Sequence, residues 1–312
     1  MNASAMNEAL PGLVPHAMVA DTDIGGGRTG ILLKPREFRP KELWREIAAG
    51  LRNRGLWSGA GSGSREISLG GGLTLRDATG RARVDPHALG FLLRYLSPGE
   101  TVVDVGANIG IYSVLAGAIV GPEGRVEALE PSPTLRPCLE ENLRRNGLAN
   151  VRVHARLAGG RRMIDPFVDG QSLNGRRRIP TGRDWMRWHD PLAIASVQID
   201  DMLHGRPCTL VHIDVAGYEL RVLEGAEGLL RRPEAPPLLI AMDKALADYG
   251  QTPRRLVGWL TARRYDTYFY DGIYHLLIHA AEPWRLNRVV VALPERARSR
   301  VLQRLAQRSD LA

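Results

Sequence analysis

The sequence predicts an α/β protein with a mostly parallel seven-stranded sheet and helices on both faces. From residue 101 onward, short apolar runs typical of buried strands alternate with segments of helical periodicity. Such alternation favours parallel strands joined by crossover helices that cover both faces of the sheet. Two helix starts carry a capping residue followed by proline, at Ser132 with Pro133 and at Thr252 with Pro253.

The elements follow in order along the chain. The predicted strands are 101–105, 125–129, 151–155, 209–213 and 238–242. The predicted helices are 85–96, 109–120, 133–146, 219–231 and 253–263. Two short strands around Asp271 and Gly272 complete the seven as a hairpin that closes one sheet edge. The segment 159–196 has weak periodicity and receives no assignment, although it is the part expected to shape an acceptor pocket.

The chain divides into a main domain with an extension at each end. The predicted parts are an N-terminal extension over 1–84, a main domain over 85–293 and a basic C-terminal helix over 294–312. Within the extension, residues 1–30 form an arm expected to bury little, and 41–57 form a short helix. A hairpin follows at 65–77, where apolar residues alternate around three glycines.

Composition limits the classes of protein that fit. The 312 residues carry a net charge of +8, but the arginines are scattered and no basic stripe interleaved with aromatics indicates RNA binding. No apolar run reaches the roughly 18 residues that span a bilayer. With only Cys138 and Cys208, a disulfide framework is not expected, so a reducing cytoplasm is the predicted location. No His, Cys and Asp spacing indicates a metal site.

The glycine-rich loop after the first predicted strand narrows the choice of ligand. The stretch "DVGANIG" places Asp104 ahead of Gly106 and Gly110, at a strand end where open parallel sheets bind ligands. A dinucleotide loop would read G-x-G-x-x-G, and a P-loop would need Gly-Lys-Ser/Thr. A carboxylate there repels a pyrophosphate but attracts an ammonium group. We therefore expect a ligand with a cationic amine.

Glu130 adds a second feature of that ligand. It ends the strand at 125–129, where an acid can accept hydrogen bonds from both ribose hydroxyls. An amine and a ribose without phosphates describe S-adenosylmethionine. The loop, the spaced acid and the α/β alternation together predict this cofactor.

These motifs resemble a known family. The stretches "VDVGANIGIYSVLA", "VEALEPSP" with "LEENLRRNG", and "LVHIDVAGYELRVLEGAEGLL" are similar to the FkbM family of S-adenosylmethionine-dependent methyltransferases, over about residues 65–279. The resemblance implies a Rossmann-like class I methyltransferase fold and, in most members, O-methylation of hydroxyls on natural products or sugars. It implies that Glu130 holds the ribose, that Asp200 supports the site, and that the methionine part lies against Asp104, Gly106, Ala107, Asn108 and Gly110.

The sequence departs from the family pattern at the fourth predicted strand. The usual Lys-Ile-Asp-Val-Glu-Gly-x-Glu reads "HIDVAGYE", so His212 replaces the lysine and Ala216 replaces a glutamate. Asp214 is then the first candidate for the general base, with His212 and Asp243 after it. The missing glutamate leaves one alternative open, a catalytically inactive binding module with this fold. The net charge leaves another, an RNA methyltransferase.

Overall fold

The computed structural model describes residues 22–23, 29–32, 65–70, 72–80, 82, 84–169, 179, 191–242, 244–272 and 276–307. The predicted helix at 41–57 and the candidate base Asp243 lie outside these residues. Among the described residues, no helix combines the length and hydropathy needed to cross a bilayer.

The main sheet contains ten strands of the described part of the chain. In chain order the strands of the protein are β1 (Thr22–Asp23), β2 (Thr29–Leu32), β3 (Arg65–Gly70), β4 (Leu73–Asp77), β5 (Thr101–Val105), β6 (Arg125–Leu129), β7 (Val151–His154), β8 (Leu157–Ala158), β9 (Ile164–Phe167), β10 (Leu192–Val197), β11 (Leu210–Ile213), β12 (Leu238–Ala241), β13 (Tyr265–Asp271), β14 (Leu276–His279) and β15 (Val289–Pro294). The order across the main sheet is β1-β2-β14-β13-β15-β12-β11-β5-β6-β7. One half of the sheet, from β12 to the edge strand β7, is parallel.

The helices agree with the sequence pattern except at their ends. They are α1 (Pro86–Tyr95), α2 (Ile111–Val120), α3 (Arg136–Arg145), α4 (Ile199–Leu203), α5 (Glu219–Glu224), α6 (Glu227–Leu230), α7 (Pro253–Thr261) and α8 (Arg298–Gln307). At α3 the predicted cap is present, because the Ser132 hydroxyl accepts from Leu135 N and its carbonyl oxygen accepts from Arg136 N, both at 3.1 Å, although the continuous helix begins three residues later than predicted. At α7 the predicted cap is confirmed, since the Thr252 hydroxyl accepts from Arg255 N at 3.1 Å.

The antiparallel side of the sheet differs from the prediction. The apolar run Val289–Pro294 was not assigned, yet β15 lies between β12 and β13 and pairs antiparallel with both. The predicted hairpin at Asp271 is present, but it does not close the edge, because β14 also pairs with β2. Residues Thr29 and Gly30 belong to the arm that was expected to bury little, yet they pair with β14 and take part in the sheet.

Helices cover both faces of the sheet, as predicted. Buried side chains of α1, α2, α3 and α8 pack on one face, and those of α4 to α7 pack on the other. The β3–β4 hairpin contributes Ile67, Leu69 and Leu75 to the first of these layers. The chain order reverses at the centre, because it runs from β5 outward to β7 and then returns to β11 on the other side of β5. Ligands of open α/β sheets bind at such a reversal.

Asparagine side chains on α3 hold the hairpin against the main domain. Asn142 is fully buried; its amide oxygen accepts from Arg76 N at 2.7 Å and its amide nitrogen donates to Arg76 O at 3.0 Å. The same nitrogen donates to Ile109 O at 2.8 Å, in the glycine-rich loop. One turn later Asn146 repeats the pattern with the backbone of Thr74. The hairpin and the loop thus share one buried anchor.

We expect Asn142→Leu to lower the free energy of unfolding by about 2–4 kcal/mol, because it removes three hydrogen bonds made by a fully buried side chain and leaves the buried Ile109 carbonyl without this donor. Asn146→Ala is the matched control, since the Asn146 side chain is only half-buried, and a loss of about 1 kcal/mol is expected there. Urea denaturation measures both. Equal losses in the two variants would show that Asn142 is no special anchor.

Candidate active site

A cavity of about 310 Å³ opens at the reversal of strand order, above the carboxyl ends of β5, β6 and β11. The residues that line it come from the glycine-rich loop, from the segment after β6, from β8 and β9, and from the loop after β11. Sequence-predicted residues in its wall are Gly106, Ala107, Asn108, Glu130, His212 and Asp214. The structure therefore brings six predicted site residues to one cavity.

Gly106 allows the loop to pack closely against the end of β11. Its φ is +82°, and an added Cβ would lie 2.2 Å from the carbonyl oxygen of Asp214. The amides of Gly106 and Ala107 both donate to Leu129 O at 3.0 Å, which ties this loop to the end of β6. A side chain at position 106 would therefore separate two strand ends that form the cavity floor.

Glu130 organises the rim of the cavity. It is nearly buried, and its carboxylate accepts from Asn108 N and Ser132 N, each at 2.8 Å. Asn108 itself adopts a φ of +55° and is exposed. It does not cap α2, because that helix begins after Gly110, whose φ is +97°. The acid thus links the end of β6 to the glycine-rich loop, and both face the cavity.

Asp104 lies beneath the cavity rather than in its wall. Its side chain is only 1% exposed, and its two oxygens contact Ser113 Oγ at 2.5 Å and His212 Nδ1 at 2.8 Å. Paired strands bring this about, since β5 and β11 place Asp104 directly opposite His212. The expected direct contact of Asp104 with a cofactor amine stays a prediction. In the structure, its carboxylate orients the imidazole.

His212 has one ring nitrogen paired and the other free among the described residues. Because the Asp104 carboxylate accepts at Nδ1, the hydrogen bond assigns a proton to Nδ1, and in the neutral tautomer with this proton Nε2 carries the lone pair. Nε2 is buried and has no hydrogen-bond partner in the described part of the chain. A buried polar atom without a partner is costly, so it commonly marks a functional site. The ring of Tyr112 packs over the imidazole, with centroids 3.9 Å apart.

Tyr112 holds the imidazole in place but does not act as a base. Burial, and after it the carboxylates of Asp85 and Asp214, raise the pKa of its phenol well above the ordinary value. Its hydroxyl accepts from Asp85 N at 3.3 Å, where α1 begins. Its contact with His212 depends on how α2 crosses β11, which no local pattern reveals.

Asp214 forms an ion pair that the sequence did not indicate. Arg288 donates to both carboxylate oxygens, at 3.1 Å and 2.8 Å. The two residues are 74 positions apart, and Arg288 directly precedes the unassigned strand β15. Both side chains are about one-third exposed. Asp214, the first candidate for the base from the sequence, is thus held by the Arg288 guanidinium. It lines the cavity but already has an ion-pair partner.

Asp200 lies outside the cavity. Its carboxylate accepts from Gly228 N and Leu229 N, both at 2.7 Å, at the start of α6. The structural or site-supporting role expected from the resemblance stays a prediction. No three His, Cys, Asp or Glu side chains of the described part lie close enough together to bind a metal ion.

Comparisons with known proteins identify the family of the chain. Residues 104–265, more than half of the chain, match the family model "Methyltransferase FkbM domain". A protein-L-isoaspartate O-methyltransferase of Aeropyrum pernix is 43% identical over 68 residues, which make up 21% of this chain and 26% of that protein. An arsenite methyltransferase of Halobacterium salinarum is 38% identical over 56 residues, 18% of this chain and 14% of that protein. The chain thus spans about a quarter or less of these relatives.

Among solved structures, the precorrin-6y C5,15-methyltransferase of Geobacter metallireducens superposes with a TM-score of 0.36 at 16% identity. The superposition covers 67% of this chain and 87% of that protein. The family match is the informative result, because it contains the glycine-rich loop, Glu130 and His212 within one model. The chain belongs to the FkbM family of S-adenosylmethionine-dependent methyltransferases.

Proposed function

We propose that the protein transfers the methyl group of S-adenosylmethionine to a hydroxyl of a small molecule, such as a natural product or a sugar, with His212 as the general base. The observation that carries the proposal is the Asp104–His212 pair, because the imidazole belongs to the cavity wall and its buried Nε2 has no partner among the described residues. Such a pair is the usual arrangement for proton abstraction from a hydroxyl, because the carboxylate fixes the tautomer and stabilises the imidazolium.

The cavity residues fit the cofactor. Glu130 would accept from the ribose hydroxyls, and the backbone from Gly106 to Asn108 would line the methionine part. Gly110 does not line the cavity, so its contact with the cofactor stays a prediction. Leu135, Leu157 and Phe167 offer apolar walls for the adenine. When bound, the cofactor supplies an electrophilic methyl group on a positively charged sulfur.

The residues of the chain then have two tasks, positioning and deprotonation. An in-line transfer needs the acceptor oxygen about 3 Å from the methyl carbon. We assign deprotonation to His212, whose Nε2 would take the hydroxyl proton while Nδ1 keeps its bond to Asp104. We assign positioning to Asp214, because its bidentate pair with Arg288 connects the loop after β11 to β15. Asp243 stays a sequence-based candidate.

We expect the protein to bind S-adenosylhomocysteine after treatment with a chelator, and Glu130→Ala to weaken that binding by about 1.5–3 kcal/mol. The loss follows from the two ribose hydroxyls and from the loop amide that the carboxylate holds. Isothermal titration calorimetry measures both affinities. Glu123→Ala, which removes an exposed acid outside the cavity, is the matched control.

Two outcomes would count against the proposal. Binding that appears only when magnesium is added would remove the metal-free site, and unchanged affinity in Glu130→Ala would remove this acid from the ribose. Binding without turnover on any hydroxylated acceptor would instead favour the inactive binding module.

A further inference from the structure

A second chamber of about 580 Å³ adjoins the cofactor cavity. Tyr218, Tyr249 and Ile179 line both spaces, so these side chains form the wall between them. The two tyrosine rings meet edge to face, with centroids 5.5 Å apart. A ligand in this chamber would therefore lie beside the cofactor cavity, separated from it by side chains only.

The chamber is lined by a largely buried aspartate whose carboxylate has no partner among the described residues. Asp165 on β9 is only 6% exposed, yet its side chain forms no hydrogen bond or ion pair with another described residue. Its carboxylate oxygens are not sealed in the interior, so the small exposed part of the side chain opens onto the chamber. Because Asp165 lines the chamber, the missing partner is best supplied by a ligand that donates hydrogen bonds, such as a hydroxyl group.

The Tyr218 phenol lies close enough to the Asp165 carboxylate for the two groups to interact electrostatically. Burial, and after it the Asp165 carboxylate, raise the pKa of the Tyr218 phenol, so its hydroxyl stays protonated at neutral pH. A neutral phenol can donate or accept a hydrogen bond. Asp165 and Tyr218 thus present two polar groups to the same part of the chamber.

The chamber also carries an excess of positive charge. Arg161, Arg221 and Arg255 line it, but Arg221 donates to Glu224 at 2.8 Å and is neutralised. The side chains of Arg161 and Arg255 form no ion pair with another described residue, and both are exposed. Exposed guanidinium groups that form no ion pair within the protein favour carboxylate or phosphate ligands.

We propose that this chamber is the acceptor site and that it takes a polyhydroxylated molecule carrying a carboxylate or phosphate. Hydroxyl groups of the acceptor donate to Asp165, and its anionic group contacts Arg161 and Arg255. This deepens the proposed function and rests on it, since it names the class of acceptor. The volume is ample for a sugar acid or a sugar phosphate, as ligand sites commonly measure about 300–1,000 Å³.

The test uses the full chain with S-adenosylhomocysteine bound, and calorimetric titration with glucuronate, glucose 6-phosphate and glucose. We expect at least one of the charged probes to bind about tenfold or more tightly than glucose. Arg255→Gln and Arg161→Gln should each weaken that probe by about tenfold, and Asp165→Asn should weaken it too. Arg254→Gln is the matched control, because Arg254 is exposed, pairs with Glu282 and does not line the chamber.

Three results would overturn the inference. Binding of none of the probes, equal binding of glucose, or unchanged affinity in the Arg161, Arg255 and Asp165 variants would each reject this acceptor class. Normal binding of S-adenosylhomocysteine in the same experiment would leave the proposed function standing. Failure to bind S-adenosylhomocysteine at all would reject the proposed function itself.

Discussion

Replacing His212 by Asn should lower methyl transfer by about 10²–10⁴-fold, the contribution of a positioned general base. The amide nitrogen of Asn can still donate to Asp104, so the buried carboxylate keeps a partner. No basic nitrogen then remains at position 212. The affinity for S-adenosylhomocysteine should change by less than roughly 1 kcal/mol, because the ligand contacts assigned to the loop and Glu130 remain. Single-turnover kinetics and calorimetry separate the two effects.

Asp214→Asn is the variant to compare with His212→Asn, since the sequence alone makes Asp214 the first candidate for the general base. Its carboxylate is already paired with Arg288 in a partly exposed site, so we expect less than about a tenfold fall in rate. The reverse ranking, a fall of about 100-fold in Asp214→Asn with little change in His212→Asn, would transfer the role of base to Asp214.

The second large effect is expected at Gly106. Gly106→Ala should weaken binding of S-adenosylhomocysteine by about 100-fold or more, because the new Cβ would lie 2.2 Å from Asp214 O and force two strand ends apart. A positive φ alone also disfavours alanine. Calorimetry gives the affinity, and thermal denaturation shows whether the variant still folds.

Gly72 provides a matched control for backbone strain. It has the same φ of +82°, but an added Cβ there meets no atom within 4 Å. Gly72→Ala should therefore show the cost of the left-handed conformation alone, about 1–2 kcal/mol of stability, with normal binding. If both variants bind normally, the close approach at Gly106 does not shape the cofactor cavity.

The elements with a strong local pattern could be predicted from the sequence. Strands β5 and β6 have the expected bounds, since each is an apolar run ended by an acid or a glycine loop. The cavity residues Gly106 and Glu130 could be found in the same way. Their position after strand ends suffices, because parallel strands bring their carboxyl ends to one edge.

The contacts that define the chemistry could not be predicted. The contact between Asp104 and His212 depends on the register of β5 against β11. The ion pair of Asp214 depends on Arg288, which lies just before β15, far along the chain. Both are tertiary pairings between residues more than seventy positions apart, which no local period encodes. β15 was missed for a related reason: a short apolar run alone does not distinguish a strand from a helix.

The most direct test of the central claim is a crystal structure of the protein with S-adenosylhomocysteine. The account predicts the ribose hydroxyls on Glu130, the homocysteine part along the backbone of residues 106–110, and His212 Nε2 facing the space beside the sulfur. A ligand bound outside this cavity would contradict it. So would an imidazole whose Nε2 is hydrogen-bonded to the protein or turned away from the sulfur.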